Sequence, residues 1–398
     1  MKNFYIRVRL IRIMIKSLVF LMSLAMIAPA AAEFRFGITA YHVPFDSYKL
    51  NAEDFDRISD NGIDWISVDF AWRDIEKNRG TYDFSYFDFI VENAGRRDIS
   101  ILAKVGNGYN GNRPVVPDWT KELSDEEYNR ALGAYALAVA ERYGDSLEYY
   151  AIENEPNVAS IHRMSGWRVG EWGTSRVISV LKTLERSIRQ GDPGSKIVLS
   201  LSVSPGWTEW IERVSEEVDF DAIGLQPYPC IIAPDPVNAF NIIPDIEKAQ
   251  SFGKEVMIIE TGYHTFERSE EDQAQYVENI CIAAMEAGAT GVFFYEYLDG
   301  EEEFPEQERH FGLLESNRKP KLSWGRYGEV IKNAADLKSR GVEVSSMGRL
   351  SSDIYANRVV GRLFNLAVDI LAGSSVFSAL FRRIVNADIT YRIMGLLG

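Results

Sequence analysis

The chain has 398 residues, 46% hydrophobic and 12% aromatic, with 43 Lys+Arg against 58 Asp+Glu and a formal net charge of −15. So much apolar content without low-complexity stretches excludes a disordered chain and suits one large core. The acidic balance repels phosphate backbones and excludes nucleic acid as a partner, leaving neutral or cationic ligands.

Residues 1–32 read as a secretory signal peptide. Basic Lys2, Arg7, Arg9, Arg12 and Lys16 precede the apolar run SLVFLMSLAMI, and APAAA places Ala30 and Ala32 for cleavage before Glu33. The segment from Met14 is a complete signal by itself, and the alternative is an uncleaved amphipathic anchor. Cleavage near Ala32 exports the protein to the periplasm or beyond and leaves a mature chain with 38 Lys+Arg and 58 Asp+Glu. In that compartment Cys230 and Cys281 are too few for a disulfide framework, and two buried thiols are expected rather than one bridge.

Eight short apolar runs follow in order: 34–41, 64–72, 99–108, 147–156, 196–203, 220–228, 255–263 and 291–300. Their middles are rich in Ile, Val, Phe and Tyr, as in strands buried on both faces. Between them lie helical segments, several opening on a Ser or Asp cap and closing on Gly. SDEEYNRALGAYALAVAERYG follows the third run, and SEEDQAQYVENICIAAMEAG, with Tyr276, Ile280, Ala283 and Ala284 at helical spacing, follows the seventh. Strand and helix alternating about eight times predict a (β/α)₈ barrel over residues 33–338. The rival, a doubly wound sheet, requires a glycine-rich phosphate loop after its first strand, and GITAYHVPFDSYKL has none.

Residues 339–398 differ in kind. From Arg340 onward seven arginines stand against four acids, and Arg358, Arg362, Asn365 and Asp369 form one polar stripe on an otherwise apolar helix. This C-terminal helical extension either packs on the barrel or on a second copy of the chain, or lies on a membrane surface.

Catalytic groups in such a barrel gather at the carboxyl ends of the strands. Those ends supply Trp72, Asn107, Asn154, Glu155, Gln226, Tyr228, Glu260 and Tyr297. Glu155 ends the fourth run and Glu260 the seventh, so their tips converge over the mouth. Two carboxyl groups about 5 Å apart there are what retaining glycoside hydrolysis requires. Glu153, one pleat deeper on the same face, is the rival acid, and Glu296 reads as a structural partner. His42, His162, His264 and His310 show no metal-ligand spacing, and neither a metal nor an organic cofactor is expected.

ENEP on the fourth run with ETG on the seventh resembles clan A of the glycoside hydrolases, family 39 above all. DFAWRDIEKNRGTYDFSYFDFIVENAGRRDISIL and FGLLESNRKPKLSWGRY extend the likeness over roughly residues 35–335. The resemblance implies Glu155 as acid/base, Glu260 as nucleophile, Asn154 on the sugar 2-hydroxyl and Tyr228 holding the nucleophile. It places Trp72 and Tyr297 where relatives keep aromatic or sugar-contacting groups. Relatives carry an arginine on the second strand, where this chain has Ser67, and His-x-Tyr on the sixth, where it has Gln226-Pro227-Tyr228. A carbohydrate is the implied substrate.

Overall fold

The computed structural model describes residues 34–41, 49–106, 116–158, 174–231, 233–300 and 306–339. The signal peptide, all of the C-terminal extension beyond Ser339, and Asn107 lie outside the described residues. Within them no helix is long and apolar enough to cross a membrane.

The architecture is the expected (β/α)₈ barrel. Its strands are β1 (Arg35–Tyr41), β2 (Trp65–Asp69), β3 (Ser100–Val105), β4 (Tyr149–Ile152), β5 (Lys196–Ser202), β6 (Ala222–Gln226), β7 (Glu255–Thr261) and β8 (Gly291–Phe294). They pair in sequence order and close between β1 and β8, all parallel. The helices are α1 (Ala52–Asp60), α2 (Ser85–Gly95), α3 (Asp125–Tyr143), α4 (Thr174–Gly191), α5 (Trp207–Ser215), α6 (Ile243–Gln250), α7 (Glu270–Glu286) and α8 (Leu322–Ser339). Their starts follow the sequence. Ser124 and Glu127 form a capping box at α3, Asn51 and Asp54 another at α1, and the Ser269 hydroxyl accepts from the Asp272 N–H at α7.

Alternation along the strands sends Leu102, Tyr149, Ala151, Val198, Ala222, Met257, Ile259 and Phe293 into one interior cluster. Gly37 keeps β1 thin where the Phe293 ring crosses it, because a Cβ there would stand 2.2 Å from a ring carbon. Below this layer Arg35 pairs with Glu255 at 2.6 Å and donates to the Tyr149 hydroxyl at 2.7 Å, closing the amino end. Cys230 and Cys281 are both buried free thiols, as expected.

Strands end earlier than the apolar runs suggest, most of all at β4 and β8. Beyond β4 the chain leaves the hydrogen-bond ladder in the turn that carries Asn154 and Glu155.

Candidate active site

The carboxyl ends of β3, β4, β6 and β7 build one polar layer on top of the apolar interior. On β3 the inward set that contains Leu102 continues to Lys104, which is buried at 3% exposure. On β6 the set containing Ala222 continues to Gln226 and then Tyr228. On β7, Met257 and Ile259 face inward, so strict alternation would turn Glu260 out toward the helices. The pairing register of β7 with β8 shifts between Ile258 and Thr261, and this irregularity turns Glu260 into the mouth.

There Glu260 Oε2 accepts a hydrogen bond from Lys104 Nζ at 2.6 Å, and Oε1 accepts one from the Tyr228 hydroxyl at 2.8 Å. Burial works against the charge on Lys104, but the carboxylates of Glu260 and Asp69 outweigh it and raise its pKa. Glu260 is therefore paired with a cation and cross-braced from two other elements. The tie from Tyr228 is the one the motif resemblance implied. Lys104 was not singled out in the sequence. Its cation comes from β3, whereas the family resemblance implied an arginine on β2. Ser67 on β2 is fully buried, and its hydroxyl has no hydrogen-bond partner among the described residues.

Glu155 reaches the same mouth by a different device. β4 stops at Ile152, and both Glu153 (φ 57°) and Glu155 (φ 48°) take left-handed conformations around Asn154. Such a conformation costs a non-glycine residue roughly 1–2 kcal/mol. The turn is fastened to β5. The Asn157 amide donates to Ser202 O at 2.8 Å, its Oδ1 accepts from the Ser202 N–H at 3.0 Å, and the Glu155 N–H donates to the Ser200 hydroxyl at 3.3 Å. Pro156 then starts a short 3₁₀ turn, Pro156–Val158.

The Glu155 carboxyl keeps partial exposure to the cleft but is enclosed by protein. Burial, followed by repulsion from Glu260, pushes its pKa up to about 8. The two glutamates are thus held differently, Glu260 paired with a cation and Glu155 with its protonated form favoured by burial and by its neighbour.

Glu153 lies deeper, at 2% exposure. Gly106 (φ 108°) at the end of β3 leaves room for it, since a Cβ there would stand 2.8 Å from Glu153 Oε1. Gln226 accepts from the Ser200 hydroxyl at 2.8 Å and donates to Asn154 Oδ1 at 2.7 Å. It therefore orients Asn154 from below and is itself only 1% exposed.

Two residues expected at the site are placed elsewhere. Trp72 begins a one-turn helix (Trp72–Ile75) that turns it under the surface. It is fully buried, stacked on Tyr135 and edge-on to Trp119 and Tyr128, with its indole N–H on Glu76 at 2.6 Å. Tyr297 is also fully buried, and its hydroxyl donates to Asp54 Oδ1 at 3.0 Å behind the barrel wall. Both rings fill space, so neither offers a face to a sugar. Glu296, expected as a structural partner, makes no side-chain hydrogen bond or ion pair among the described residues. Among those residues no group of His, Cys, Asp and Glu could hold a metal ion.

A family model described as beta-galactosidase matches residues 45–122, a span that contains Lys104 but neither glutamate of the pair. No curated protein matches the chain. Among solved structures it is similar to the exo-beta-1,4-mannosidase Op5Man5 from Opitutaceae bacterium strain TAV5, with 18% identity and a TM-score of 0.62 over 78% of this chain and 61% of that one. A GH5_18 protein from Streptomyces cattleya in complex with GlcNAc gives 16% identity and a TM-score of 0.63 over 76% and 81%. A family 39 glycoside hydrolase from Bacteroides cellulosilyticus WH2 gives 20% and 0.57 over 76% and 64%. The chain thus spans less than two thirds of the mannosidase and of the family 39 protein. The motifs, the family model and these folds meet on one group, the clan A glycoside hydrolases, which this chain resembles in sequence and in architecture.

Proposed function

We propose that this protein is a retaining β-glycosidase, with Glu260 as nucleophile and Glu155 as acid/base. The observation that carries the reading is the contrast between the two carboxyl groups at one mouth. Glu260 is anchored as an anion by Lys104 and Tyr228, while Glu155 retains a proton up to about pH 8.

In the first displacement a Glu260 oxygen attacks the anomeric carbon, the glycosidic C–O bond breaks, and the Glu155 proton passes to the departing oxygen. Esterification removes the negative charge of Glu260, and with it the repulsion that helps Glu155 hold a proton. Glu155 then accepts a proton from water, whose oxygen attacks the same carbon and frees Glu260. Asn154, oriented by Gln226, is placed to hydrogen-bond the sugar beside the reacting carbon. Lys104 supplies from β3 the positive charge that Ser67 does not, which favours turnover over the alternative of a barrel that binds sugar without cleaving it.

A poly- or oligosaccharide outside the cytoplasm is the substrate that the signal-peptide pattern favours. The sequence allots long segments after β3, β4 and β6, and that length favours endo action. NMR observation of the anomeric proton released from an aryl β-glycoside tests the mechanism: first-formed β product is expected, and first-formed α product would contradict a retaining pair. Added sugar acceptors separate hydrolysis from transglycosylation by the same carboxyls.

A further inference from the structure

Between Ile197 and Leu201, β5 is apolar except at Ser200. Val198 belongs to the interior cluster, and alternation puts Ser200 on the same inward face, one pleat nearer the mouth, at 1% exposure. A hydroxyl this deeply buried is costly to a fold unless its hydrogen-bonding capacity is used. Ser200 uses both sides. Its oxygen accepts from the Glu155 N–H at 3.3 Å, and its proton goes to Gln226 Oε1 at 2.8 Å. That proton has no other acceptor among the described residues.

One proton thereby sets a direction for two amides. With Oε1 of Gln226 held by Ser200, the Nε2 half of the same amide faces Asn154 and donates to its Oδ1 at 2.7 Å. With Oδ1 taken, the Asn154 amide turns its Nδ2 away from Gln226. Asn154 is only partly buried, and its Nδ2 donates to nothing among the described residues. The reverse setting, with Gln226 Nε2 toward Ser200 and Asn154 Oδ1 outward, would strand the buried Ser200 proton without an acceptor.

We propose that Ser200 is a positioning residue that fixes Asn154 as a hydrogen-bond donor only. It thereby selects a sugar whose substituent beside the anomeric carbon offers an oxygen lone pair rather than an ammonium. This rests on the glycosidase reading, which sets Asn154 next to the reacting carbon, and adds the polarity of that contact. A hydroxyl there accepts the Nδ2 proton. A deoxy carbon leaves it unpaired, and an ammonium, itself only a donor, is turned away. The Glu155 N–H shares the Ser200 oxygen, so one hydroxyl ties the donor setting to the turn that carries the acid/base.

The test reads binding, not turnover. Calorimetry on the full chain bearing Glu155→Gln compares p-nitrophenyl β-glycosides of glucose, galactose and mannose with their 2-deoxy and 2-amino-2-deoxy counterparts, at about pH 6, where the amine is charged. At least one parent hexoside is expected to bind about fivefold or more tightly than both of its counterparts. Adding Ser200→Ala is expected to weaken the parent hexoside alone and close most of that gap. Gln226→Met removes the intervening amide at similar volume and should close the gap as well, which decides the question if Ser200→Ala does not fold. The proposal is overturned if no parent hexoside outbinds its counterparts, if the gap survives these substitutions, or if they weaken all three sugars alike, as loss of a merely structural contact would. Each of these results leaves the glycosidase reading standing, since that reading depends on whether Glu260 becomes esterified.

Discussion

The two ends of the barrel contain nearly the same parts with opposite outcomes. At the amino end Glu255 is paired with Arg35 at 2.6 Å and accepts from the Tyr149 hydroxyl at 3.0 Å. At the carboxyl end Glu260 is paired with Lys104 at 2.6 Å and accepts from the Tyr228 hydroxyl at 2.8 Å. At the amino end the inventory balances. Thr290 adds a third donor to Glu255, and the Arg35 guanidinium lies 4.7 Å over the Tyr149 ring and 5.3 Å over Trp65. Burial would raise the pKa of Glu255, but Thr290 and Arg35 overcome it and hold the pKa down. At the carboxyl end burial, followed by neighbouring carboxylates, pushes the pKa values of Glu155 and Glu296 up and favours their protonated forms. The amino-end cluster holds its carboxylate as an anion, and the carboxyl-end cluster holds one carboxyl group with its pKa raised, able to give up a proton near neutral pH.

The largest effect that would break this comparison is at the pair itself. Glu260→Ala should lower kcat by on the order of 10⁴ and Glu155→Ala by about 10²–10⁴, whereas Glu255→Gln should leave kcat within about twofold. Next comes the cation. Lys104→Met is expected to cost about 10²–10³ in kcat, as loss of an electrostatic brace does in other active sites, with Lys104→Arg recovering part of it. It should also raise the pH at which Glu155 titrates, since Lys104 is one of the groups lowering its pKa. A loss of folding without that pH shift in the remaining activity would make Lys104 merely structural.

The pH dependence of stability sharpens the contrast. Glu155 is raised from 4.5 to about 8, so the folded protein binds the proton more tightly than the unfolded chain does. Its contribution is fully present below pH 4.5 and is lost as pH rises through about 8. Thermal melts of Glu155→Gln should therefore match those of the parent at pH 4 and exceed them by roughly 2 °C or more at pH 9. Glu255, whose pKa is lowered, should behave oppositely: Glu255→Gln should cost about 2 kcal/mol at neutral pH, and the deficit should shrink as the parent is acidified below the carboxylate range. The smallest effect is behind the wall. Tyr297→Phe should lower the melting temperature by a few degrees without changing KM, because its hydroxyl serves Asp54.

The fold was legible because each βα unit repeats its own signals: an apolar run, a cap, and an amphipathic helix. Strand order made it legible that β4, β6 and β7 end at one mouth, and the motif resemblance pointed to Glu155, Glu260 and Tyr228 there, but not to the turn and the register shift that aim the two glutamates. Trp72 and Tyr297 were misread because being an aromatic near a strand end says nothing about direction, and a one-turn helix was enough to turn Trp72 inward. Lys104 was missed although ISILAKVGNG does carry the signal. A lysine two residues from Leu102, on the inward face of an apolar strand, must have a carboxylate partner. The shift in register that aims Glu260 leaves no local mark in MIIETGY, since it arises from the pairing of β7 with β8.

The most direct measurement is covalent trapping. Incubation with activated 2-fluoro β-glycosides, followed by proteolysis and mass spectrometry, should place one glycosyl ester on the peptide containing Glu260, with none in Glu260→Ala. An ester on Glu155, Glu153 or Glu296, or inactivation of the Glu260→Ala protein at the parent rate, would contradict the assignment of the nucleophile.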